Sequence, residues 1–150
     1  MTSGQETIVE IARSWLGTPY RHQAACRGAG TDCLGLVRGV WRDVMGSEPE
    51  VAPAYSMDWS EPQGQERLWQ AASSHLSEQP HVTDGLSAGD VILFRMRTGA
   101  VAKHLGIVSV VGASPAFIHA YEKYGVVESP LSQPWQQRIV ARFKFPLEVF

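Results

Sequence analysis

Apolar residues recur at helical spacing early in the chain, at Ile8, Ile11, Ala12, Trp15 and Leu16, and Gly17-Thr18-Pro19 then stops the pattern. The spacing predicts a first helix. A glycine-rich loop follows from Tyr20 to Thr31, after which Leu34, Val37, Val40, Trp41 and Val44 mark one face of a second helix that closes near Gly46. Thr31 or Asp32 can cap this helix, which puts Cys33 in its first turn. Glu48 to Pro62 is rich in proline, serine and acidic residues and reads as a long connection. Leu68, Trp69, Ala72 and Leu76, between Pro62 and Pro80, predict a third helix.

The pattern changes in the second half. Val91-Ile92-Leu93-Phe94, Leu105 to Val111 and Ala116 to Tyr121 are short apolar runs bounded by Gly, Pro or Asp, as strands are. A last run from Ile139 to Phe145 alternates apolar and polar after Val140, which predicts a strand with one wet face. Helices first and neighbouring strands afterwards indicate an α+β fold with a mostly antiparallel sheet. No internal repeat interrupts the pattern. One domain over residues 1–150 is expected, because 150 residues can bury a core without disulfides or a structural metal.

Composition narrows the partners. The net charge is -2, and Lys and Arg are scattered rather than gathered in a stripe, so no nucleic-acid partner is expected. Met1 to Glu6 shows no basic stretch followed by an apolar core, and no apolar run is long enough to span a bilayer. Synthesis in the cytoplasm without a secretory signal and no membrane insertion are therefore expected; action outside the cell would require carriage or lysis. The two cysteines, Cys26 and Cys33, lack CxxC spacing, which disfavours a zinc ribbon or a redox pair and leaves a short disulfide geometrically possible.

Cys33 is the candidate nucleophile. A thiol with a pKa of about 8.5 is mostly protonated at neutral pH, and only the thiolate attacks. The first turn of a helix favours negative charge by about 0.3–1 kcal/mol, up to about 2 when partly buried. Asp32 next door opposes that, so a histidine partner is required. At the same time, a cysteine at the start of a buried helix can be a small core hydrophobe, and Cys26 belongs to a loop. Of five histidines, His75 and His81 fall on polar ground, His104 opens an apolar strand and His119 interrupts another. Such strand histidines are either satisfied structural residues or, paired downstream of a helix-start cysteine, a base and the group that orients it.

The segments Gly17-Thr18-Pro19-Tyr20, Asp32-Cys33-Leu34-Gly35-Leu36-Val37, Gly89-Asp90-Val91-Ile92-Leu93-Phe94, His104-Leu105-Gly106-Ile107 and Phe117-Ile118-His119-Ala120 resemble, in order, the NlpC and p60 family of cell-wall cysteine peptidases. The stretch from Tyr20-Arg21-His22-Gln23-Ala24 to Asp32 through Trp41 is most similar to the branch found in phage tails and gene transfer particles. The resemblance implies a papain-like cysteine peptidase fold, with Cys33 as nucleophile, His104 as general base and then acid, and His119 orienting His104. It implies Tyr20 as a donor to the oxyanion, where a preorganised hydroxyl is worth about 2.7–4 kcal/mol; the same ring could simply pack at a helix end. Asp32 matches a position that pairs with a free substrate amine, and is also readable as a plain cap. His22 lies in the loop near the cleft as a further substrate contact. The family commonly has Ser after the cysteine; here it is Leu34, which leaves the substrate open.

From this resemblance the expected activity is hydrolysis of an amide in peptidoglycan stem peptides, between D-glutamate and a diamino acid, through a thioester at Cys33. No cofactor or metal is implied. Partners would be the murein stem peptide and phage-like tail-tip or hub proteins, with the protein assembled into a particle that opens the bacterial wall. The alternatives are a structural tail component whose catalysis is dispensable and a related amidase acting on another small amide.

Overall fold

A computed structural model describes residues 4–46, 66–82 and 84–146. The connection read over Glu48 to Pro62 lies outside them. The first helix, α1 (Gly4–Arg13), buries Ile8, Val9 and Ala12, and turns carry the chain on to Gly17. Trp15 is buried in those turns, whereas Leu16 is 41% exposed and not part of the packed face. A two-residue hairpin, β1 (Ala25–Cys26) with β2 (Gly30–Thr31), folds the glycine-rich loop onto itself before α2 (Cys33–Met45). Asp32 caps α2, its side chain accepting from the Gly35 N–H, and Gly46 closes it.

Helix α3 (Arg67–His75) leads into β3 (Ser77–Glu78), β4 (Val91–Phe94), β5 (His104–Val110), β6 (Ala116–Tyr121), β7 (Gly125–Pro130), the short α4 (Gln133–Gln136) and β8 (Ile139–Lys144). The main sheet runs in the order β3-β8-β4-β5-β6-β7 with every neighbouring pair antiparallel. Helices and a largely antiparallel sheet make the α+β class expected from the sequence. The strand β7, the hairpin, β3 and α4 were not foreseen.

Strand alternation divides the core in two. Val91, Leu93, Leu105, Ile107, Ile118 and Ala120 face the helices and meet Ile8, Ala12, Leu36, Val37, Val40 and Leu68. Their neighbours Ile92, Phe94, Val108 and Phe117 face the other way and are covered by Leu131 and Trp135. Each large side chain fully buried in either layer contributes about 1.5–3 kcal/mol of transfer free energy. Gly35 marks the closest approach between loop and helix: a Cβ there would lie 2.0 Å from the Ala24 carbonyl oxygen, so only glycine admits the loop.

Strand β8 does not have the wet face that its alternation predicts. Arg142 is 5% exposed. Its guanidinium donates to the carbonyls of His81 and Gly85 and pairs with Asp90 at 2.8 Å, while Lys144 reaches the other Asp90 oxygen at 2.8 Å. The charged positions of β8 are therefore turned inward onto a buried carboxylate, which binary patterning alone cannot distinguish from a solvated face.

Candidate active site

Three segments bring the sequence-derived residues together. The loop before α2 is held by Thr31, whose N–H donates to Pro19 O while its own carbonyl accepts from Arg21 N, both at 3.0 Å. This pairing, a parallel bridge between Tyr20 and Thr31, sets Tyr20 beside the start of α2. Asp32 then fixes the turn from both sides: Oδ1 accepts from Gly35 N and Oδ2 from Gln23 N, each at 2.7 Å. Cys33 follows as the first helical residue, where backbone N–H groups are unpaired by other helix carbonyls.

Cys33 is partly buried, and its Sγ donates to Lys103 O at 3.7 Å. Backbone hydrogen bonds from Leu105, Leu34 and Cys33 itself also reach the sulfur. The thiol thus lies against the main chain on both sides of His104, the first residue of β5. Cys26 is exposed in the hairpin, and both cysteines are free thiols.

His104 and His119 occupy β5 and β6, where the strand register sets their rings together: Nε2 of His104 is 2.8 Å from Nδ1 of His119. Nε2 of His104 is thus committed to His119, and its other ring nitrogen is Nδ1. The second nitrogen of His119, Nε2, is 2.9 Å from Ser129 Oγ on β7. Aromatic rings enclose the pair. Phe117 stacks on His119 at 4.1 Å, and Phe94, Tyr121 and Trp135 lie 5.7, 5.9 and 5.9 Å from the His104 ring.

This enclosure decides the protonation states. Burial, with Asp32 adding to it, pushes the Cys33 thiol up to about 12, against the opposing pull of the backbone hydrogen bonds. Burial, and secondarily His119, pushes His104 down to about 3, and burial alone takes His119 to about 4. The helix start is therefore outweighed by desolvation, and the resting site is a neutral thiol beside neutral imidazoles. Burial also raises the Tyr20 phenol, with the Cys33 and Asp32 charges contributing, so Tyr20 stays a hydrogen-bond donor at any working pH.

The remaining candidates fall nearby. His22 is at the surface with Nδ1 3.8 Å from Asp32 Oδ2, and Leu34 is half-buried against the core. Asp32 is 2% exposed with both oxygens turned to backbone N–H groups, the geometry of a cap. Sequence reasoning missed Ser129, Tyr121 and Trp135. Tyr121 was findable, since it lies two residues after His119 on the same strand face. Ser129 carried no signal, because its role exists only once β7 pairs with β6. Among the described residues no three His, Cys, Asp or Glu side chains gather into a group able to hold a metal ion, and no helix is long and apolar enough to cross a membrane.

The sequence profile of the NlpC/P60 family matches residues 17–144. The fold is similar to that of the NlpC/p60 domain of the peptidoglycan hydrolase SagA, with a TM-score of 0.65 at 22% identity, covering 96% of this chain and 100% of that one. It is also similar to an NLP/P60 family protein from Staphylococcus aureus, with a TM-score of 0.61 at 22% identity, where 94% of this chain covers 41% of the other. An NlpC/P60 family protein from Bacillus cereus gives a TM-score of 0.61 at 19% identity, with 97% and 41% covered. No curated protein matches the sequence.

Proposed function

This chain belongs to the NlpC/P60 family, and from that premise we propose that it is a cysteine peptidase that hydrolyses an amide bond in peptidoglycan stem peptides. The observation that carries the reading is the hydrogen-bonded His104–His119 pair, 2.8 Å apart, set where β5 begins against a helix-start Cys33. Nδ1 of His104 takes the Sγ proton as sulfur attacks the carbonyl carbon. Developing negative charge on the carbonyl oxygen is met by the Tyr20 hydroxyl and by backbone N–H groups at the start of α2. Collapse breaks the C–N bond, the leaving amine takes the proton from His104, and a thioester remains on Cys33. Water, deprotonated by the same imidazole, attacks the thioester and restores the thiol.

The finer specificity is cleavage between D-glutamate and a diamino acid, and the finer context is a phage-like tail component that opens the wall during delivery. The first rests on the family resemblance around Cys33, the second on the Tyr20-to-Trp41 stretch. Leu34, in place of the serine common in the family, favours a second reading: the same chemistry on a different small amide. Purified murein tests both. Mass spectrometry of the digest should show new stem-peptide amino groups with wild type and none with Cys33→Ala; identical release by the two proteins would sink the thiol mechanism.

A further inference from the structure

The relay does not end at His119. Between His104 Nε2 and His119 Nδ1, only one nitrogen can carry the hydrogen, so the neutral pair has two arrangements. In one, His104 carries its proton on Nε2 and donates it to His119; Nδ1 of His104 is then bare and can take a proton from Cys33. His119 in that arrangement is protonated on Nε2 and needs an acceptor there. In the other, His119 donates from Nδ1, His104 is protonated on Nδ1, and it cannot act as a base.

The residue at His119 Nε2 therefore bears on whether the base works. That residue is Ser129, with Oγ at 2.9 Å. We propose that Ser129 is a positioning residue whose hydroxyl oxygen accepts the His119 Nε2–H and so holds both imidazoles in the arrangement that leaves His104 able to receive the thiol proton. The proposal rests on the reading of Cys33 and His104 as nucleophile and base. A serine hydroxyl can also donate, but Ser129 lines an open cavity of about 570 Å³ with Ser132, Gln133 and Gln136, so its own hydrogen can turn outward to solvent. His119 is 0% exposed, and an Nε2–H deprived of Ser129 would be stranded. Loss of the hydroxyl thus penalises the working arrangement by orphaning a buried donor, whereas the idle one loses only an acceptor's partner. The same geometry matters during turnover, because a protonated His104 must donate from Nε2, and the chain passes that polarisation on to Ser129.

Side-chain nitrogen NMR on the whole chain tests this without any substrate. At pH 7 the wild type should show Nε2–H on both His104 and His119. In Ser129→Ala, Nδ1–H signal should grow on His119, and Cys33 alkylation by iodoacetamide should slow on the order of tenfold, as for loss of other orienting partners. Ser129→Thr should restore both readouts. On murein, Ser129→Ala should lower kcat with KM held. A wild-type His119 protonated on Nδ1 would overturn the proposal even if the alanine variant failed to fold. So would an alanine variant with unchanged tautomers and alkylation rate. A protein that leaves murein intact but shows these tautomers and this slowing would remove the substrate assignment while supporting the role of Ser129.

Discussion

Two buried polar networks lie in this small sheet, and they are built on opposite principles. Around Asp90, just before β4, every partner is fixed: Arg142 on Oδ2, Lys144 on Oδ1, and the Ser87 N–H on Oδ2 as well. Around His104 on β5, burial keeps the thiol and both imidazoles neutral and links them through hydrogen bonds that can be redrawn. The first network has no proton to move and ties together β4, β8 and the loop at His81 and Gly85. The second has a hydrogen that can sit on either of two neutral imidazoles of similar basicity beside a thiol, which suits a shuttle. Asp90 in the first and both imidazoles in the second are nearly closed to solvent, so burial alone does not mark a functional site; the charge state that burial permits does.

The largest test of that contrast is Cys33→Ala. Activity on murein should fall by at least about 10³-fold, while urea unfolding changes little, because only one sulfur is lost from a half-buried position. Arg142→Met should do the reverse. It leaves Asp90 short of its most buried partner and strands two carbonyls, at a cost of about 3–5 kcal/mol in the free energy of urea unfolding, with Cys33 alkylation in the folded fraction unchanged. Lys144→Met should cost less than about 1 kcal/mol, since that side chain is 35% exposed and its pairing is screened. Comparable losses from the Arg142 and Lys144 variants would break the picture of a buried pair with an outer helper.

Acid is the next test, because it charges the buried imidazoles. The folded values of about 3 for His104 and about 4 for His119 lie below the 6.5 of an ordinary histidine, so the unfolded chain binds more protons between those limits. Stability is then complete above pH 6.5 and declines as pH falls toward the folded values, by about 1.4 kcal/mol per pH unit for each histidine. Urea midpoints between pH 7 and pH 4 should trace this decline, and His119→Gln should shallow its slope. An unchanged slope in that variant would place the acid sensitivity elsewhere.

The two networks were not equally legible in the sequence. A helix start and two apolar strands made Cys33, His104 and His119 candidates while leaving a structural role open for each, and the family resemblance then gave them their expected roles. The fold followed from the same apolar periodicity, which located α1, α2, α3, β4, β5, β6 and β8. The strand β7 escaped because Gly125-Val126-Val127-Glu128-Ser129-Pro130 begins and ends in turn-forming residues and has no regular alternation. Its pairing with β6 is tertiary, and Ser129 was lost with it. Arg142 was misjudged for a related reason: a polar residue alternating with apolar ones reads as solvated unless its partner, Asp90, 52 residues away, is already in place.

Asp32 stands between the two networks, since it is a buried carboxylate like Asp90 but sits beside the thiol. If it is a cap and nothing more, Asp32→Asn keeps the acceptor for Gly35 N–H and loses the one for Gln23 N–H, costing about 1 kcal/mol of stability. It also removes the charge that, after burial, raises the Cys33 thiol. Alkylation of Cys33 should therefore quicken by a few-fold at fixed pH, on the order expected for loss of one nearby charge, with hydrolysis of amine-bearing stem peptides keeping its KM. A carboxylate that also pairs with the substrate amine gives a different signature: alkylation quickens as before, but KM rises for substrates with a free amine and stays constant for acetylated ones. Unchanged alkylation would overturn both, because it would mean that Asp32 does not act on the thiol at all and that enclosure by the sheet and aromatic rings alone sets its protonation.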